Sequence, residues 1–384
     1  MKKILVVMPY FHPHKGGSQK YAEELYATLI RLYPKQYQVD VLCYNTDKSP
    51  DAENYRGMRI YRIPCWQIIV GRFALPNPWF LFNKLRFLTK NKYYYVNAQL
   101  IFFDPAWWVW LYARLIGAKS IFTEHVASYP VHQNKLVEII AKVAERTIGS
   151  LALNRYDLIT VTNKAAGDFL KNDLGLKRKT NLIYGGVDTK YFSEQVGRKG
   201  FKTDDLIITY VGRLIWTKGI TYLYEAIRAI INKVPDNTYF IIAGGGELED
   251  SLKKMIKRDR LSKRIFLTGF ISYKEVRNLL GISDIFINPS HHNEGFPNTI
   301  LEAGASENFD IATDNAGTSE IIQDKKTGLL IPQRNQEAIE KSLVWAIENP
   351  GKRKEIAGNL RRLIASKFDW EIIARDYKTL LDAH

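Results

Sequence analysis

Short apolar runs rich in β-branched residues alternate with amphipathic helical patterns along almost the whole chain, and this alternation limits the fold more than any other feature. In the first half, strands are expected at residues 4–8, 39–44, 94–97, 120–123, 158–162 and 182–184, with helices between them at 18–32, 105–116, 135–155 and 164–172. After residue 200 the pattern restarts. Strands are expected at 206–211, 239–243, 265–268, 285–288, 311–313 and 329–331, and helices at 220–232, 248–257, 274–280, 297–306 and 336–348. Such alternation predicts parallel sheets with helices on both faces. So many strands would be large for one open sheet, and 384 residues are long for one domain. The polar stretch 193–205, with its two glycines, is the natural place to divide the chain. The expectation is two doubly wound α/β domains, residues 1–195 and 196–369.

Composition narrows the functional class. Cys43 and Cys65 are the only cysteines, too few for a disulfide framework or a cysteine metal cluster. The opening MKKILVVMPYF reads as a first buried strand and not as a signal peptide, and the most apolar stretch, 105–118, is too short to span a bilayer. A cytoplasmic protein is therefore expected. Charge is unevenly spread: residues 1–195 hold 27 Lys+Arg against 15 Asp+Glu, a balance of +12, while residues 196–384 hold 28 against 25, a balance of +3. A basic first half suits an anionic partner such as a membrane surface or a phosphorylated acceptor. Nucleic acid is disfavoured, because no recognisable reading motif accompanies the basic residues.

In open parallel sheets, ligands bind beyond the carboxyl ends of the strands, so residues just after strands are where chemistry is expected. Four such places stand out in the second half. VGRLIWTKG sets Arg213 past one strand and Lys218 before a helix, two cations suited to a diphosphate at a helix N-terminus. AGGGELED supplies glycines for close backbone approach. NPSHHNEGFPNTILEAG puts Glu294 in a loop, Pro297 in a first helical turn and Glu302 about a turn inside. Carboxylates accept paired hydrogen bonds from vicinal sugar hydroxyls, so these two could hold two sugars, while the backbone N–H groups from Gly295 to Thr299 face an anion. In TDNAGTSEII, Gly317, Thr318 and Ser319 are expected to open a further helix.

The ordered combination of GRL…KG, a glycine-rich strand end, EGFPNTILE and TGLLIP resembles glycosyltransferase family 4, a retaining family of GT-B fold. PYFHPHKGGSQKYAEEL, LIYGGVDTKYF and FDWEIIARDY resemble that family's first loop and helix, its interdomain segment and its last helix. The resemblance implies two Rossmann-like domains facing across a cleft, the first binding acceptor and the second donor, with the C-terminal helix 370–384 packing back on the first. It implies that Arg213 and Lys218 neutralise the donor diphosphate, that Glu302 holds the ribose and that Glu294 contacts the transferred sugar. Gly16 and Gly17 would let the first loop approach the donor. Gly212, Gly245, Gly295, Phe296, Pro297, Asn298 and Thr299 would complete the donor site. Transfer is expected on the front face of the sugar, and with no Asp-x-Asp in the chain neither a metal nor another cofactor is expected. Where the family often has Met-Ala-Cys-Gly after the second glutamate, this chain reads AGASENFD, and the strand before Asn97 ends in VNAQ without the usual histidines.

On the acceptor side, His125 follows a strand where related transferases place a histidine, with Glu124 beside it. Residues 77–92 mix Trp79, Phe80, Phe82 and Phe87 with Lys84, Arg86, Lys90 and Lys92. They read as an interfacial helix on an anionic membrane, or else as core with a basic rim. The function expected is transfer of a hexose or N-acetylhexosamine from a UDP-sugar, or GDP-mannose, to a saccharide acceptor carried on polyprenyl diphosphate at the inner face of the membrane, in cell-surface polysaccharide synthesis. Three rivals stand against it: a hydrolase using Glu294 and Glu302, which would leave Arg213 and Lys218 without purpose; a nucleotide-sugar epimerase; and a silent scaffold of a glycan-assembly complex.

Overall fold

A computed structural model describes all residues except 15, 70–72, 131–134, 195, 199 and 292–294. The chain divides into two compact units, one of Met1–Gly185 with Trp370–His384 and the other of Gly186–Asp369. The sequence reading placed this division at 195/196. The structure places it ten residues earlier because the Thr189–Ser193 helix belongs to the second unit. There Val187 bridges to Asp369, and the backbone N–H of Thr189 donates to the Asp369 carboxylate at 3.2 Å.

The first unit is built on an eight-stranded sheet. Its spatial order is Thr180–Leu182, Leu158–Val161, Lys119–Glu124, Tyr95–Gln99, Lys2–Val7, Tyr37–Tyr44, Met58–Ile63 and Ala52–Tyr55. All neighbours are parallel except the last pair, which is an antiparallel edge. Side chains alternate across a strand, so a sheet covered on both sides needs apolar residues at successive positions. Strand Lys2–Val7 shows this: Leu5 and Val7 join one core with the helices Pro78–Leu88, Pro105–Leu115 and Lys164–Asn172. Ile4 and Val6 join another with Gly17–Leu32 and the C-terminal helix Trp370–Asp382. That last helix is held by the hydroxyls of Tyr26 and Tyr377, 3.0 Å apart, and by Tyr37, whose hydroxyl donates to Asp382 at 2.9 Å.

The strands Ala52–Tyr55 and Met58–Ile63 were not expected, because charged residues interrupt their apolar period. The structure accommodates those charges. Arg59 donates to Asp40 at 2.9 Å, and buried Arg62 donates to the carbonyls of Pro50 and His12. The helix expected at 135–155 is broken in its middle: Lys135–Ala144 passes into a π turn, Glu145–Gly149, and resumes as Ser150–Leu153.

The second unit is an all-parallel six-stranded sheet ordered Ile265–Gly269, Thr238–Ala243, Leu206–Val211, Ile285–Asn288, Phe309–Thr313 and Leu329–Ile331. Helices Ile220–Ile230, Gln336–Glu348 and Pro350–Lys367 share its larger core. The last of these, rich in Lys and Arg, was not foreseen.

Candidate active site

The loops after three adjacent strands of the second unit are locked together by backbone. Gly244 has φ +141°, and a Cβ there would lie 1.9 Å from the carbonyl oxygen of Gly212. The N–H of Gly212 donates to Ala243 O at 3.0 Å, and that of Leu214 to Gly245 O at 2.9 Å. On the other side, Gly219 has φ +70° and a Cβ would meet Pro289 O at 2.0 Å, while the N–H of His291 donates to Thr217 O at 3.0 Å. Only residues without side chains tolerate such approaches. The backbones of Gly317 and Gly295 come equally close, a Cβ on Gly317 falling 1.8 Å from Gly295 O. Residues 212–219, 244–248, 289–291, 295 and 317 therefore gather at the carboxyl ends of neighbouring strands.

The charged candidates stand on this frame. Arg213 is exposed and makes no ion pair among the described residues; its carbonyl accepts from the Tyr210 hydroxyl at 2.9 Å. Lys218 is half-buried, in the 3₁₀ turn Trp216–Lys218 that leads through Gly219 into the helix Ile220–Ile230. Glu302 is buried in the helix Asn298–Ala305, one turn from its start. Pro297 is the N-cap of that helix and not a residue of its first turn, while Gly295 and Phe296 precede it and Asn298 and Thr299 open it. Glu294 lies outside the described residues. The helix expected at 317–319 is a turn, in which Thr318 donates from both its N–H and its hydroxyl to Asn315.

Gly16, Gly17 and His125 belong to the first unit. Gly16 is the extended N-cap of the Gly17–Leu32 helix, and Gly17 has open space where a Cβ would stand. His125 follows the strand Lys119–Glu124 with its Nε2 3.0 Å from Gln99 Oε1. Burial pushes the imidazole down to about 3, so it is neutral at ordinary pH and can offer hydrogen bonds but no charge. Gln99 in turn donates to Asn97, and Asn97 to Thr123, so the VNAQ strand end replaces the family's usual histidines with an amide network. Sequence reading missed Gln99, because a lone amide at a strand end carries no pattern.

Two family models together span the chain from residue 15 to residue 363: "Glycosyltransferase Family 4" over residues 15–191 and "Glycosyl transferases group 1" over residues 192–363. The chain belongs to glycosyltransferase family 4. A glycosyltransferase of Methanocaldococcus jannaschii is 24% identical over 100% of this chain and 99% of its own. The Campylobacter jejuni N-acetylgalactosamine-N,N'-diacetylbacillosaminyl-diphospho-undecaprenol 4-alpha-N-acetylgalactosaminyltransferase is 25% identical over 92% of this chain and 94% of its own. The Anabaena protein HepE, crystallised with UDP, superposes with a TM-score of 0.76 at 16% identity, covering 100% of both chains. The fold is GT-B, and the protein is a glycosyltransferase.

The places where this glycosyltransferase departs from the family's wording have structural uses. A Cβ on Gly304 would strike Ile364 and Leu360 at 2.4 and 2.7 Å, so glycine lets the Asn298–Ala305 helix rest against Pro350–Lys367. Asn308 is buried and donates to the carbonyls of Leu280 and Ser283. In the first unit, Glu124 is fully buried and accepts from the N–H groups of Ile101, His125 and Val126, yet burial still pushes it up to about 7. Glu145, in the π turn, is raised to about 8, first by burial and then by Glu124, and its Oε2 has no hydrogen-bond partner among the described residues. A carboxyl whose pKa is higher folded than unfolded stabilises the fold fully below the unfolded value, and this is lost as pH rises through the folded value. Glu145→Gln is therefore expected to raise the melting temperature near pH 9, by roughly 1–3 kcal/mol of stability, and to change it little near pH 5. Melts of both proteins across that range would refute the burial argument if the two curves ran parallel. Among the described residues, no helix is long and apolar enough to cross a membrane.

Proposed function

We propose that this glycosyltransferase transfers a hexose or N-acetylhexosamine with retention and without a metal, from a nucleotide sugar bound by the second unit. A UDP-sugar is the donor we favour, with GDP-mannose as the competing candidate. The observation that carries this reading is the convergence of glycine-lined loops 212–219, 244–248 and 289–291 at strand ends, with Arg213 and Lys218 on one of them. Their cations would neutralise the diphosphate as the anomeric C–O bond breaks, the kind of fixed charge that contributes most where negative charge develops. The acceptor oxygen would bond to the same face of the sugar, its proton passing to the departing phosphate oxygen. Glu302 would hold the ribose hydroxyls and Glu294 those of the transferred sugar.

The acceptor we propose is a saccharide on polyprenyl diphosphate, a reading supported by the basic first half and by the undecaprenol-linked substrate named for the Campylobacter relative. An anionic membrane surface would meet the Pro78–Leu88 helix. That helix packs inward through Leu81, Leu85 and Leu88 and leaves Trp79, Phe80, Phe82 and Phe87 exposed. His125 would face the acceptor side as a neutral hydrogen-bonding group.

A thermal-shift screen of nucleotide sugars tests the donor, since a ligand at 100 times its Kd adds about 2.7 kcal/mol of stability. UDP-sugars are expected to raise the melting temperature by several degrees and GDP-mannose by less. Glu302→Gln should weaken both UDP and the intact donor about tenfold or more, the scale of losing a charged hydrogen bond. Equal UDP affinity in variant and parent would remove Glu302 from the ribose.

A further inference from the structure

A row of buried polar side chains crosses three strands of the first sheet and leads to His125. Alternation along the strand Tyr95–Gln99 puts Asn97 and Gln99 on one face. Parallel register sets Gln99 beside Thr123, and Thr123 beside Thr160 on the next strand. Asn97, Gln99, Thr123 and Thr160 are all buried, so they must find their hydrogen bonds within the protein.

These bonds can run in one direction only, because the row ends on backbone carbonyls, which accept and never donate. Thr160 donates its hydroxyl proton to Phe122 O at 3.2 Å, and therefore accepts from Thr123 at 2.8 Å. The amide nitrogen of Asn97 faces Ile121 O at 3.3 Å and Thr123 Oγ1 at 2.9 Å. Turned over, that amide would set its oxygen against a carbonyl oxygen. Asn97 Oδ1 is thus left to accept from Gln99 Nε2 at 3.2 Å, and Gln99 Oε1 stands 3.0 Å from His125 Nε2. An amide oxygen only accepts, so the single proton of the neutral imidazole is on Nε2 and the lone pair is on Nδ1.

The ring is held in this setting. The His125 N–H donates to Glu124 Oε1 at 2.9 Å, its carbonyl accepts from Asn163 Nδ2 at 3.2 Å, and the Tyr21 ring packs edge-on at 4.8 Å. The Tyr21 hydroxyl is committed to Ile183 O at 3.2 Å, and Nδ1 accepts no hydrogen bond among the described residues. We propose that Gln99 is a positioning residue: it fixes His125 with its proton on Nε2, so that Nδ1 accepts a hydrogen bond from a hydroxyl of the acceptor saccharide. An ionised phosphate or carboxylate oxygen has no proton to give and would meet a lone pair, so this position selects sugar and rejects the anionic part of a substrate. The saccharide half rests on the acceptor reading above; the tautomer does not.

Long-range proton–nitrogen NMR of the full chain with ¹⁵N-labelled imidazoles separates the two tautomers, and the signal that His125→Asn removes is that of His125. At pH 7 one species is expected, protonated on Nε2. In Gln99→Met, which keeps the length of the side chain and loses its oxygen, a population protonated on Nδ1 should appear. Gln99→Glu keeps an accepting oxygen there and should keep the proton on Nε2. A Gln99 that only filled space would lower the melting temperature in both variants and leave the tautomer unmoved. In turnover of a UDP-sugar with a polyprenyl-diphosphate saccharide, Gln99→Met should raise the acceptor KM about fivefold, the scale of one lost hydrogen bond, and leave the donor KM and kcat little changed. The proposal is overturned if the parent carries its proton on Nδ1 or is an imidazolium at pH 7, or if Gln99→Met keeps the single species. A rise in donor KM in place of acceptor KM would overturn the saccharide half. Should Gln99→Met fail to fold, the parent spectrum decides alone. The spectrum needs no substrate, so an absence of turnover would overturn the proposed function while the NMR still decides the tautomer.

Discussion

Lys218→Ala is expected to lower turnover at least about 100-fold, about 2.7 kcal/mol of transition-state stabilisation, with the fold intact. The reasoning is positional. Gly219 is pinned against Pro289 and the His291 N–H is tied to Thr217, so backbone contacts hold the turn carrying Lys218 from both sides. A charge held in place before the reaction costs no reorganisation when the leaving diphosphate gains negative charge. Arg213→Lys should also be poor, because an ammonium cannot copy the two-pronged contact of a guanidinium with phosphate oxygens. Since Arg213 is exposed and makes no ion pair among the described residues, that change should leave the melting temperature nearly unchanged. Steady-state kinetics with melts of both variants decide the matter. Near-normal turnover in both would sink the donor-site assignment.

Removing Glu294 is the second large effect expected, and it separates front-face transfer from a covalent route. If Glu294 orients the sugar through its hydroxyls, Glu294→Ala should cost about 100-fold through misplacement, with azide giving no rescue. If Glu294 were a nucleophile, the same variant should lose transfer, and small external nucleophiles could restore it. NMR of the product is expected to show the donor's anomeric configuration retained, and intact-protein mass spectrometry during turnover no glycosyl adduct. An inverted product would remove the retaining mechanism. An adduct at Glu294 would keep retention and replace the front-face route with a double displacement.

Most of the second unit was legible in the sequence because its strands are buried on both faces and read as unbroken apolar runs. Leu206–Val211 and Ile285–Asn288 are the clearest cases. The glycine-lined loops were legible for a related reason: glycines and cations directly after such runs occur where the fold places ligands. The antiparallel edge of the first unit was not legible. Arg59 and Arg62 look like surface residues until Asp40 and the backbone carbonyls of Pro50 and His12 are brought to them from other parts of the chain.

By itself, the sequence determined the alternating α/β architecture, the family and the glycines and cations that follow the strands of the second unit, since all three depend on local pattern and short spacing. Tertiary structure alone decided which carboxyls lose their ordinary acidity, because Glu124 and Glu145 are far apart in sequence and only packing removes both from water. It decided that His125 is neutral and that Gln99 is its partner. It also decided that the apolar residues of the Lys135–Ala144 helix face solvent. A periodic apolar stripe specifies that a helix has one apolar side, but where that side points depends on what the rest of the chain packs against it.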